Sequence, residues 1–159
     1  MIRALLIVGS IGLGVSPASA LCIYGGVDNA KTTVAQELRD SKWVVRARIV
    51  SADYHWSDEG ESWTLYRLRV VETYKGRIQP RFAVFTERNS GGFYMDGDGG
   101  VPDLDRDYLL FLVPDPWPKN RPPAAKGALS INYSCGQSKP WSEVSSLEKR
   151  ALAMVSGGG

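Results

Sequence analysis

The chain of 159 residues carries two cysteines, Cys22 and Cys135, near opposite ends of the sequence beyond its leader. In an oxidising compartment the economical reading is one disulfide joining the N-terminal segment to the end of the last strand; the alternative is two free buried thiols. On the chain-entropy picture a loop of this size is worth ~4–5 kcal/mol, less any native strain. Any fold that satisfies the bridge must bring the first residues of the mature chain back beside its last strand.

The oxidising compartment is read from the leader. Arg3 precedes the apolar run Ala4–Val15, and Ala18-Ser19-Ala20 comes after it, which is the layout of a secretory signal peptide. Residues 1–20 are therefore expected to be removed, leaving 21–159 as one exported domain, secreted or periplasmic. The apolar run is shorter than the ~20 residues a helical span requires, so no membrane span is expected. Lipoprotein processing wants a small residue just before the cysteine, and Leu21 stands there instead. Lys and Arg total 19 against 17 Asp and Glu, and without Arg3 the excess falls to +1. So small a charge argues against a partner chosen by bulk electrostatics, duplex DNA above all. The expected state is a monomer.

The stretch 128–152 organises the end of the chain. Leu129, Ile131 and Tyr133 alternate with Ser130, Asn132 and Ser134, the period of a strand with one face on a core. Cys135 comes next, Pro140 and Trp141 turn the chain, and Ser145 with Glu148 has capping-box spacing for a helix. Val144, Leu147, Ala151 and Val155 are its expected apolar stripe, with Gly157–Gly159 as the stop. Earlier, Thr33 with Gln36 offers a second capping box, for a short helix Val34–Asp40. Strands are expected over 43–51, 62–74, 82–86 and the continuous apolar run Tyr108–Val113. Val71 after Val70 disturbs the alternation of the second strand and predicts a bulge. Five prolines with Trp117 between Pro114 and Pro123 predict a stiff, extended loop. Five short strands, a long third connection and a terminal helix suggest a mainly β fold, a small closed Greek-key barrel of the OB type with a helix near each end.

Little catalytic chemistry is advertised. His55, the one histidine, sits in a polar turn, and no HExxH, GxSxG, P-loop or paired-carboxylate arrangement appears. The reading is therefore non-enzymatic, with no cofactor and no metal of its own. Asp96, Asp98 and Asp107 fit positions one, three and twelve of a calcium loop, but Gly100 and Val101 break the pattern, which favours a solvated connection. Arg46, Arg48, Arg67 and Arg69 fall on the outward faces of the first two strands, flanked by Tyr54, Trp56 and Trp63. Such a face suits single-stranded nucleic acid or a sulfated glycan, or is simply a solvated surface paired with carboxylates; export disfavours nucleic acid.

The ordered pieces resemble a known family. Trp43–Ser51, Tyr66–Gly76 with its Tyr-Lys-Gly turn, Val84–Thr86, Asp107–Phe111, and Leu129–Cys135 followed by Pro140-Trp141 and the capped helix resemble the N-terminal, netrin-like OB domain of the tissue inhibitors of metalloproteinases. The resemblance runs in order over nearly all of Leu21–Leu152. It implies inhibition of a secreted zinc metalloprotease by the mature N-terminus, whose first α-amino and carbonyl groups chelate the target's catalytic zinc. It also implies that Cys22 and Cys135 form the family bridge from the third residue to the end of the last strand. The bridge from the first residue is missing at both ends, since Leu21 precedes Cys22 and Asn89–Gly92 has no cysteine. The implied contact residues are Leu21, Cys22, Ile23 and Tyr24, with Arg88, Asn89 and Ser90 from the loop Thr86–Tyr94. A different reading is a non-inhibitory exported binding module that takes a protein or sulfated glycan on the arginine face or the proline-rich loop.

Overall fold

The computed structural model describes residues 22–56, 62–88 and 91–156. The expected leader, Leu21, Asn89, Ser90 and Gly157–Gly159 lie outside the described residues. The elements are β1 (Ile23–Tyr24), β2 (Val27–Asp28), α1 (Val34–Asp40), β3 (Trp43–His55), β4 (Trp63–Lys75), β5 (Arg81–Glu87), β6 (Asp107–Pro114), β7 (Leu129–Ile131), β8 (Lys139–Pro140) and α2 (Ser146–Ser156).

β3, β4, β5, β7 and β6 pair in that order, and β6 pairs back onto β3, so five strands close into an OB-like barrel. All neighbours are antiparallel except β5 with β7. Alternation along the long strands sends Val45, Ala47 and Ile49 of β3 and Tyr66 and Leu68 of β4 inward, where they meet Val84, Met95, Tyr108, Leu110 and Leu112. Burial of this apolar area is the main driving force for closure.

β6 reads as an unbroken apolar run because both its faces are covered. Leu109 and Phe111 point out of the barrel, with Val44 and Tyr74, into a second cluster that Val144, Leu152 and Trp141 and the α1 residues Val34 and Leu38 complete. The predicted bulge is at Val71, skipped where Val70 pairs with Ala47 and Glu72 with Arg46. The Lys75-Gly76 turn requires glycine: φ is +75°, and a Cβ would lie 2.5 Å from the Lys42 carbonyl oxygen.

Both capping boxes form. Thr33 and Gln36 cap α1 reciprocally, and Ser145 and Glu148 do the same for α2. The apolar stripe of α2 differs from the sequence expectation. Leu147 is 70% exposed and Val155 is exposed, while Leu152 is fully buried. Leu152 packs into the outer cluster with Val44, Leu109 and Phe111, and on the same edge of the helix Glu148 binds Lys139 of β8 at 2.7 Å. β7 is also shorter than the strand expected there. It ends at Ile131, after which the Asn132 N–H donates to the Phe111 carbonyl at 2.8 Å and the chain turns to present Cys135. The proline-rich segment is not fully extended but contains short 3-10 turns at Pro118–Asn120 and Pro123–Ala125.

Burial alone would raise the pKa of Glu148, but Lys139 and the Ser145 hydroxyl and N–H outweigh it and hold it at about 2. Its folded pKa lies below the usual value of about 4.5, so its stabilisation is present above that value and is lost as pH falls toward about 2. Glu148→Ala is expected to cost about 1–2 kcal/mol at neutral pH. Denaturant titrations of both proteins across the acid range should show the difference shrinking as Glu148 protonates. A constant difference would contradict the assignment.

Candidate functional site

The first described residue is bolted to the barrel. Cys22 and Cys135 are disulfide-bonded, with their Cα atoms 6.0 Å apart and a sequence separation of 113. From that anchor β1 and β2 form a two-residue hairpin whose turn, Gly25-Gly26, uses left-handed backbone at both positions. The hairpin closes on its own base: the Cys22 N–H donates to Asn29 Oδ1 at 3.2 Å, and the Asn29 N–H donates to the Cys22 carbonyl at 2.5 Å. Both backbone polar groups of Cys22 are thereby engaged.

Tyr24 faces back toward the body. Its ring packs on Tyr133 at 4.9 Å between centroids, and its hydroxyl donates to Asp40 of α1. Burial foremost, and then the hydrogen bond to Asp40, raises its pKa. Tyr133 donates in turn to the Ala30 carbonyl at 3.0 Å. Behind the bridge, the buried Glu37 carboxylate accepts from the Gln137 N–H at 2.8 Å and from the Thr32 hydroxyl, tying α1 to the segment after Cys135. Ile23 alone of the hairpin's first strand points outward, 60% exposed.

Two further segments reach the same edge. β5 leads into the loop after Glu87, where Arg88 turns inward. Its Nε donates to Thr64 Oγ1 at 2.8 Å, its Nη2 pairs with Asp96 at 2.6 Å, and its guanidinium lies over the rings of Tyr54 and Tyr94. Arg88 is therefore engaged within the protein and offers no free charge to a partner. The proline-rich segment is held by Arg121, whose largely buried guanidinium takes Asp115 at 2.9 Å, reaches Glu87 of β5, and covers the Phe85 ring. Asp115 also accepts from the Trp117 N–H at 3.0 Å, leaving the Trp117 side chain 64% exposed.

The three segments line one groove. Gly91, Pro116, Trp117, Ile131 and Ser134 are common to two adjoining concavities of about 240 and 360 Å³. The first extends toward Phe85 and Thr86, and the second toward Cys22 and Ile23. No protein-family model and no curated protein matches this chain. The site is a short, partly apolar ridge and groove, pinned by one disulfide and two buried arginine clusters.

Of the residues singled out in the sequence, Cys22 and Ile23 are at the groove, Tyr24 and Arg88 are behind it, and Leu21, Asn89 and Ser90 lie outside the described residues. Trp117 and Pro116 are legible in the sequence as a stiff loop. The Arg121–Asp115–Glu87 cluster that aims them is not, because nothing in their spacing announces a contact between a loop and β5.

The acidic loop does not converge. Asp96 accepts from Tyr66 at 2.7 Å and pairs with Arg88, Asp103 pairs with Arg106, and Asp107 pairs with Arg46 and Arg48. Among the described residues no group of three or more His, Cys, Asp or Glu is placed to hold a metal ion. His55 stacks on Trp63 at 5.1 Å on the β3–β4 hairpin. No helix among the described residues is long and apolar enough to cross a membrane.

Proposed function

We propose that the mature protein is an exported inhibitor of zinc metalloproteases, similar in design to the tissue inhibitors of metalloproteinases, that blocks a catalytic zinc with its N-terminus. A catalytic zinc keeps one coordination position open for water or substrate. A backbone amine and carbonyl offered together on a rigid ridge would fill it without any side-chain ligand. The observation that carries the reading is the Cys22–Cys135 bridge, which sets Cys22 and the exposed Ile23 on the same groove as Gly91 and Trp117. Because Asn29 occupies the N–H and carbonyl of Cys22, the groups left for zinc are those of Leu21.

Rigidity is the second support. Ordering a loose segment on binding subtracts from affinity. Here Asn29, Tyr133 and Asp40 immobilise the hairpin before any partner arrives, and Arg88 at the end of β5 and Arg121 in the proline-rich segment are held by their own ion pairs. The reading is of binding, not catalysis.

The test is inhibition of a panel of zinc metalloproteases by the protein beginning at Leu21. Ile23→Asp, which places a charge on an exposed ridge position, is expected to weaken inhibition tenfold or more with an unchanged melting temperature, on the order of one buried apolar contact plus a desolvated charge. Arg150→Gln on α2 should leave it unchanged. Equal inhibition by Ile23→Asp, or none by any form, would remove the ridge from the account.

A further inference from the structure

The strand register aligns three arginines across three neighbouring strands. Arg48 of β3 pairs with Arg69 of β4, and Arg69 pairs with Arg81 of β5. Neighbours in register point the same way, and Ala47, Ile49 and Leu68 beside them fill the core, so the three guanidinium groups lie on the outer surface. At about 4.8 Å between strands the line is ~10 Å long. Arg46 and Arg67 flank it on the same face.

Like charges directly opposite one another weaken a sheet, so such a row opposes the stability of the barrel. Three of these five arginines are compensated. Asp107 accepts from Arg46 at 2.8 and 2.5 Å and from Arg48 at 2.6 Å, and Asp53 pairs with Arg67 at 2.5 Å. Burial of Asp107 would raise its carboxyl, but the Arg48 and Arg46 guanidiniums outweigh this and hold it below the usual range. The other two are not compensated: among the described residues neither Arg69 nor Arg81 has an acidic partner, and both are exposed. A local rule broken without internal compensation points to an external partner.

We infer that this outer face of β3, β4 and β5 binds a linear sulfated polysaccharide, with Arg69 and Arg81 as its free cations and Arg48 as the third point of the line. Guanidinium forks match sulfate oxygens in pairs, and a linear polymer presents its charges in a row. Single-stranded nucleic acid would also need rings on which bases stack. Of the rings that flank this face, Trp141 is already covered by Arg46 and Lys149, Trp63 is stacked on His55, and Tyr54 lies under Arg88. The inference is independent of the protease-facing groove, which involves none of these arginines.

The test is binding of a fluorescent heparin oligosaccharide at physiological ionic strength, beside its desulfated form and a single-stranded oligonucleotide of matched charge. Saturable binding to the sulfated probe alone is expected. Arg69→Gln with Arg81→Gln should weaken it about tenfold or more, while the melting temperature stays level or rises as the like-charge row is relieved. An Arg150→Gln control should bind as the parent does. Absence of binding, equal binding of the oligonucleotide, or full affinity in the double variant would each overturn the assignment.

Discussion

Replacing both cysteines by serine, Cys22→Ser with Cys135→Ser, is expected to lower stability by about 3–4 kcal/mol, measured by urea denaturation against the oxidised parent. The bridge closes a loop of 113 residues, nearly all the described chain. Cutting it releases that constraint from the unfolded ensemble, where the chain-entropy picture places ~4.7 kcal/mol for a loop of about this length. The observed loss should be somewhat smaller, because denatured chains are never fully expanded. In the folded variant the terminal hairpin keeps its hydrogen bonds to Asn29 and its Tyr24–Tyr133 contact, but these are few and partly exposed. The barrel is therefore expected to persist while the hairpin frays, visible as fast amide exchange confined to residues near Ile23–Asp28. A change below about 1 kcal/mol would show that the other contacts, Glu37 with Gln137 above all, already hold the ends together.

Why the barrel is legible in the sequence comes down to particular residues. Alternation in β3 and β4 is set by which face is buried, so Val45, Ala47, Ile49, Tyr66 and Leu68 declare the core, and the doublet Val70-Val71 declares the bulge. Tyr108–Val113 reads as buried because helices cover its outer face. Thr33 with Gln36 and Ser145 with Glu148 mark both helix starts through local chemistry alone. What the sequence does not show depends on contacts between different elements. The phase of α2 follows Leu152, which packs on Val44, Leu109 and Phe111, the end of β7 precedes the turn to Cys135, and the inward turn of Arg88 follows Asp96 and Thr64. None of these pairs leaves a periodic signal. The β1–β2 hairpin is not among the sequence expectations, although Gly25-Gly26 is a turn signal between its two short strands.

The candidate groove is half legible for the same reason. Cys22 and Ile23 stand out through a resemblance, and the proline-rich loop through its composition. Their meeting beside Gly91 depends on barrel closure through the parallel β5–β7 pair, a pairing that no local pattern reveals.

The second large effect concerns one residue added ahead of Leu21. An extra alanine moves the α-amino group by ~3.5 Å. The carbonyl and amine that a zinc ion would take must lie together at bonding distance, and a misplacement of about 1 Å at a reacting centre commonly costs on the order of a hundredfold. The added residue should leave the fold untouched, since the Cys22 N–H and carbonyl remain with Asn29 and the bridge remains with Cys135. Stability and inhibition are thus expected to separate: an unchanged melting temperature, with affinity for the protease reduced at least about a hundredfold.

The decisive measurement is the inhibition constant of the protein beginning at Leu21 against zinc metalloproteases, compared with that of the same protein carrying one added N-terminal alanine. Inhibition by the native terminus that the alanine abolishes is the predicted result. Equal inhibition by both, or none by either while the Cys22–Cys135 bridge is intact, would contradict a wedge that works through a free N-terminus.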